Sequence, residues 1–173
     1  MPRRLRTVFS FPNPVNEVAA RVVAGGVVVL SAAAIGWHLG WLLIPISYGF
    51  WARVLSGPTL SPLGQLATRL VAPRLGPARL VAGAPKRFAQ AMGVVFSSTA
   101  LILWFGLGAQ GATWVVVGLL LAAALAESAL GLCIGCRVFA GLMRRGIIPD
   151  DVCAACADIS LRHPALRQEP APT

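Results

Sequence analysis

Residues 113–136 read TWVVVGLLLAAALAESALGLCIGC, and this stretch decides the fold. Its residues 114–132 hold one ionisable group, Glu127, in nineteen positions. A run of about 20 apolar residues is what a helix needs to cross a hydrocarbon core roughly 30 Å thick. The run closes on Cys133 and Cys136, a C-x-x-C pair. The other two cysteines, Cys153 and Cys156, form a second such pair after a gap of sixteen residues. That spacing falls within the zinc-type pattern of C-x2-C, a gap of about 15–20 residues, then C-x2-C.

Composition extends this reading to the whole chain. Of 173 residues, 57% are hydrophobic and 12% charged, against about 45–50% and about 25% in soluble domains. The chain is therefore read as an all-α integral membrane protein. It forms one domain over residues 1–160, followed by a polar, Pro-rich, disordered tail over 161–173. The net charge of +9 flanks apolar segments, so its partner is the lipid bilayer and its anionic headgroups. No basic–aromatic repeat points to nucleic acid. Arg3, Arg4 and Arg6 followed by residues 22–34 resemble a signal peptide. Glu17 and Arg21 interrupt that pattern and further long apolar segments follow, so no cleavage is expected.

Four spans are expected, over about 16–37, 39–54, 85–107 and 113–139, arranged as two helical hairpins. The second is short and contains Pro45, so it tilts, kinks or thins the bilayer. Asn13 and Asn16 are positioned to cap the first span, and Glu17 stands one turn from Arg21, where the two can pair. All fifteen Lys and Arg fall in three places. Arg3, Arg4, Arg6 and Arg21 precede or open the first span. Arg53, Arg69, Arg74, Arg79, Lys86 and Arg87 lie between the second and third. Arg137, Arg144, Arg145, Arg162 and Arg167 follow the core of the fourth. The connections near His38 and at 108–111 hold none. The positive-inside rule then puts both termini and the middle loop in the cytoplasm. His38, between Trp37 and Trp41, reads as part of an interfacial belt.

A shift of 67 residues aligns Gly26 with Gly93, Ser31 with Ser98 and Trp37 with Trp104, with five further identities within residues 24–35. The two hairpins are thus read as parallel repeats. In the middle loop, Leu60, Leu63, Leu66, Leu70 and Val71 recur at helical spacing. An interfacial amphipathic helix is expected there, started by Pro62 and ended by Pro73.

The cysteines carry the chemistry. The second pair follows Pro149-Asp150-Asp151, the start of a short C-terminal helix. One reading joins Cys133, Cys136, Cys153 and Cys156 in a tetrathiolate site for zinc or, as a variant, an iron–sulfur cluster, with His163 as a substitute ligand. Another makes Cys133 and Cys136 a thiol-exchange or sulfur-carrying centre. A third gives the four thiols no joint task. Structural disulfides are not expected on a reducing face. Glu127, an acid inside a span, is a functional candidate by position, and Arg53 is its expected ion-pair partner. No Ser-His-Asp set, phosphate loop or paired carboxylates are present, which leans against an enzyme.

Several motifs together resemble a family of small bacterial multi-pass membrane proteins, domain of unknown function 4395. They are Pro14-Val15-Asn16, Gly57-Pro58, Ser61-Pro62, Pro85-Lys86-Arg87-Phe88-Ala89-Gln90 and Gly131-Leu132-Cys133-Ile134-Gly135-Cys136. The resemblance covers about residues 12–156. It implies the bacterial cytoplasmic membrane and an association with thioredoxin-like proteins and sulfurtransferases, hence thiol or sulfur metabolism. The expected function is an accessory membrane component of that metabolism. The alternatives are a structural zinc module and a small carrier of a sulfur oxyanion, which with four spans would need a homo-oligomer.

Overall fold

The Asn16 side chain accepts the Val18 amide at 3.0 Å and so satisfies one of the donors left open at a helix start. The helix it opens, α1, runs Glu17–Gly36. In this computed structural model, which describes residues 11–153, six more α-helices follow. They are α2 (Leu43–Ser56), α3 (Pro62–Leu66), α4 (Ala72–Leu75), α5 (Gly83–Leu101), α6 (Gln110–Leu130) and α7 (Ile134–Arg144). A 3-10 turn, Gly40–Leu42, leads into α2, and a π turn, Ile102–Gly106, prolongs α5. The N-terminal arginines, Cys156, His163, the rest of the expected C-terminal helix and the tail lie outside the described residues.

Three helical stretches are long and apolar enough to cross a membrane: Glu17–Gly36, Gly83–Gly106 and Gln110–Leu130. They coincide with the expected first, third and fourth spans, but the fourth stops at Leu130 rather than near 139. Gly131 ends it in the left-handed conformation, φ 68°. The Leu132 amide reaches back to the Ala126 carbonyl at 3.0 Å and that of Gly131 to Glu127 at 3.1 Å. This closure satisfies the last carbonyls and needs a residue without Cβ strain. The expected second span is the 14-residue α2, about 21 Å of helix at 1.5 Å per residue. Pro45 does not kink it. It sits in the first turn, where the missing N–H would have had no helical partner.

The two largest helix contacts cross the sequence repeat, and α5 and α6 also pack on each other within it. α1 packs chiefly on α6, and α2 on α5, while α1 and α2 touch far less. The 67-residue shift relates α1 to α5 and α2 to α6 in sequence, so these two largest contacts each join one helix from either half. The helix starts agree: α5 and α6 begin about 67 residues after α1 and α2. Close approach explains the pairing. A Cβ on Gly93 would strike the Phe50 ring, so only glycine lets α2 and α5 meet there. Val27, Ile46, Phe50, Leu120 and Ala124 form one core cluster, and Leu43, Ala100 and Val117 another.

Two strands, β1 (Val15–Asn16) and β2 (Leu80–Val81), pair antiparallel, Val15 with Val81 and Asn16 with Leu80. They hold the starts of α1 and α5 together at one end of the bundle. Asn13 does not cap α1; its Oδ1 accepts the Gly83 amide of α5 at 3.0 Å. Arg21 does not pair with Glu17. It donates to the Ser128 and Ala129 carbonyls at 3.1 and 3.0 Å. Arg87 likewise donates to the Val54 carbonyl at 3.2 Å. Each arginine is the fifth residue of its helix and sits at the C-terminus of that helix's partner, where a cation is favoured.

The middle loop is helical across residues 62–75. Ser61 caps it by accepting the Gly64 amide at 3.1 Å. Pro73 does not end it: a π turn, Ala67–Val71, precedes the proline, and the helix continues as α4 to Gly76, φ 134°. Gly64, Ala67 and Ala72 are buried, while Leu66, Leu70 and Leu75 are exposed. At the opposite end of the long helices, Trp37 and Trp41 are exposed. His38 meets the Trp114 ring edge-on at 5.6 Å.

Candidate functional site

A cavity of about 230 Å³ lies between α1, α2, α5 and α6, with the start of α7 at one side. Its wall is mostly apolar: Val23, Ala24, Val27, Phe96 and Leu120 among others. Four polar side chains interrupt it: Arg53, Gln90, Glu127 and Cys133. Three of these were legible in the sequence as candidates; Gln90 was not.

Arg53 comes from the last turn of α2 and is 5% exposed. Its Nε donates to Gln90 Oε1 at 2.8 Å and its Nη1 to Ser61 Oγ at 3.3 Å. The guanidinium carbon lies 4.6 Å from the centre of the Phe50 ring, a cation–π distance. Nη2 is buried with no partner.

Glu127 projects from α6 and is paired with Lys86, not with the expected Arg53. Lys86 Nζ lies 2.8 Å from Glu127 Oε1, and their side chains are 9% and 16% exposed. Among the described residues this is the one ion pair. Lys86 reaches it because it lies in the first turn of α5, whose start is drawn inward by the β1–β2 ribbon. Lys86, Gln90 and Gly93 follow one another at spacings of four and three, so they share a face of α5. That spacing was the available signal for Lys86 and Gln90.

The first cysteine pair does not close a membrane-length helix. It opens α7, a separate helix. Cys133 is the N-cap, and its Sγ accepts the Cys136 amide at 3.3 Å. Gly135 lets this turn press on α5, since a Cβ there would lie 2.6 Å from Ala89 Cα. Phe139 is buried and meets the Phe88 ring at 5.6 Å between centroids, which fixes α7 on α5. The sulfurs of Cys133 and Cys136 face each other at a disulfide-like distance. The N-cap turn explains it. It sets the two Cα atoms 5.2 Å apart, inside the range a disulfide requires. Cys133 is buried and Cys136 partly exposed.

Cys153 ends a 3-10 turn, Asp150–Cys153, that packs near α5; it is buried and is not a free thiol. Its companion Cys156 lies outside the described residues. Among the described residues, no three His, Cys, Asp or Glu are placed to hold a metal ion.

Residues 15–144 match the family model described as Domain of unknown function (DUF4395). No curated protein and no solved structure matches the chain.

Proposed function

The chain belongs to the DUF4395 family, a domain of unknown function, and we propose that it serves thiol or sulfur metabolism as an accessory protein of a bacterial cytoplasmic membrane. The exchanging group is the Cys133–Cys136 pair. The observation that supports this reading is the Cys133/Cys136 pair at the N-terminus of α7, its Cα atoms 5.2 Å apart, with Cys133 buried against the cavity and Cys136 partly exposed.

The chemistry follows from that asymmetry. A thiolate of a dithiol partner attacks Sγ of Cys136, the more accessible sulfur. A mixed disulfide forms and the Cys133–Cys136 bond breaks. Cys133 leaves as a thiolate, favoured by the Cys136 amide that its sulfur already accepts and by the positive end of α7. The partner's second thiolate then attacks the mixed disulfide and releases Cys136. Two electrons pass to this protein, the partner ends as a disulfide, and protons from water complete Cys133 and Cys136 as thiols. A thioredoxin-like protein or a sulfurtransferase supplies such a partner.

Membrane placement supports the same role. Four crossings, the second made by α2 and the turn before it, leave both termini and the basic middle loop in the cytoplasm. The pair then sits at the cytoplasmic edge, within reach of soluble partners. The helical stretch 62–75 lies in that interface, with Leu66, Leu70 and Leu75 in the lipid.

A tetrathiolate zinc or iron–sulfur site on Cys133, Cys136, Cys153 and Cys156 would need all four sulfurs as thiolates. In the exchange role Cys133 and Cys136 pair with each other instead, which their Cα separation of 5.2 Å permits. Purification under reducing, metal-free conditions, followed by zinc addition, a metal assay and a thiol count, separates the readings. The exchange role predicts no retained metal and one pair that reoxidises readily. Stoichiometric zinc with four unreactive thiols would overturn it.

A further inference from the structure

A second pocket, of about 440 Å³, opens at the end of the bundle where β1 pairs with β2. Sites for small ligands run from about 300 to 1,000 Å³. α1 contributes Glu17, Val18, Arg21 and Val22 to its wall, and the connection from α4 to β2 contributes Leu75 and Arg79. The Glu17 amide donates to the Arg79 carbonyl at 2.7 Å, which ties the two sides together. α1 has 20 residues, about 30 Å of helix, which is the thickness of a hydrocarbon core. Its first turn therefore stands at the level of the lipid headgroups.

Charges of both signs line this pocket unpaired. Among the described residues the one ion pair is Lys86 with Glu127, so neither Glu17 nor Arg79 has an ionic partner there. Glu17 is half-buried and Arg79 exposed, and a ligand can reach both. Arg21 commits Nε and Nη2 to the Ser128 and Ala129 carbonyls and leaves Nη1 without a bond among the described residues. A simple anion would suit the arginines and be repelled by Glu17; a simple cation would meet the reverse. A ligand carrying both charges suits all three. The α1 wall also continues into the membrane. Val18, Val22 and Gly25 line the pocket, and Val29 follows at spacings of four, three and four, all on one face of the helix. Val29 is 67% exposed, and Leu75, across the pocket, 64%.

We propose that this pocket binds the headgroup of an ethanolamine phospholipid. The phosphodiester lies on Arg79 and the free Nη1 of Arg21, and the ammonium lies on Glu17. The acyl chains run along Val22 and Val29 and against Leu75. Selection follows from hydrogen bonding. A primary ammonium has three N–H donors and makes charge-assisted bonds to a carboxylate. A choline group has no N–H to offer Glu17. A glycerol headgroup brings no positive charge to offset it. The inference stands on the pocket and its charges. It requires neither thiol exchange at Cys133 and Cys136 nor a choice of which membrane face this end occupies.

The test uses the full chain in detergent. Dioleoyl phosphatidylethanolamine, phosphatidylglycerol or phosphatidylcholine is titrated in, and native mass spectrometry counts the lipids retained. One ethanolamine lipid per chain is expected, bound about tenfold tighter than either of the others, the loss expected when a charge-assisted hydrogen bond is removed. Mono- and dimethylated ethanolamine lipids, with progressively fewer N–H groups, are expected to fall in between. Glu17→Gln removes the preference for ethanolamine over choline, and Arg79→Gln weakens all three phospholipids alike. If either variant fails to assemble, the methylation series on the wild-type chain decides. Equal retention across that series, tighter binding of the glycerol lipid, a preference unchanged in Glu17→Gln, or binding unchanged in Arg79→Gln overturns the proposal.

Discussion

Lys86 Nζ stands 2.8 Å from Glu127 Oε1 across the contact between α5 and α6, with both side chains largely shielded from solvent. Breaking such a pair on one side strands a buried charge. Lys86→Met is therefore expected to destabilise the protein by about 3–5 kcal/mol, and Lys86→Met combined with Glu127→Met to recover most of the loss. Thermal unfolding in detergent measures both. A single variant as stable as the wild type would contradict a buried pair.

Phe50 fills the space over Gly93. Gly93→Ala is expected to cost about 1–3 kcal/mol by overpacking, and Phe50→Leu in the same chain to relieve part of it. Independent, additive losses would mean that the two residues are not in contact.

The matched arginines make a prediction about symmetry. Arg21→Ala and Arg87→Ala each remove a cation from a helix C-terminus, worth about 0.3–1 kcal/mol. The two losses should be similar and should add, because the sites share no partner. A large loss from one and none from the other would argue against equivalent roles.

The orientation is testable with reporters fused in the loops. A reporter after Ala109 is expected on the outer side of the membrane and one after Arg79 in the cytoplasm. A cytoplasmic reporter after Ala109 would reverse the assignment on which partner access depends.

What the sequence disclosed follows from how local each signal is. The long spans were legible because twenty apolar residues in a row have few alternatives. The break between α6 and α7 was harder to see, since Gly131 and Leu132 continue the apolar run. The left-handed glycine mattered more there than hydropathy. Lys86 reads as a flanking charge at the head of a span, and only the packed structure brings it to Glu127. Arg21 reads as Glu17's neighbour one turn away, whereas its partners Ser128 and Ala129 are more than a hundred residues distant in sequence. The 67-residue repeat did not disclose the pairing, because α2 meets α5 through Gly93 and the Phe50 ring, whose register sequence does not display. Arg53 stood out by charge alone, and its partners Gln90 and Ser61 are set by the packing of the helices.

The exchange role rests on which sulfur a partner reaches, and trapping measures that directly. In a Cys153→Ser, Cys156→Ser background, Cys133→Ser leaves Cys136 alone, and Cys136→Ser leaves Cys133 alone. Each variant, in membranes, is exposed to a thioredoxin-like protein whose resolving cysteine has been replaced and whose remaining cysteine is activated as a mixed disulfide with a good leaving thiol. The account predicts a covalent adduct with Cys133→Ser, on Cys136, and little or none with Cys136→Ser. No adduct with either variant, or equal adducts with both, would contradict it.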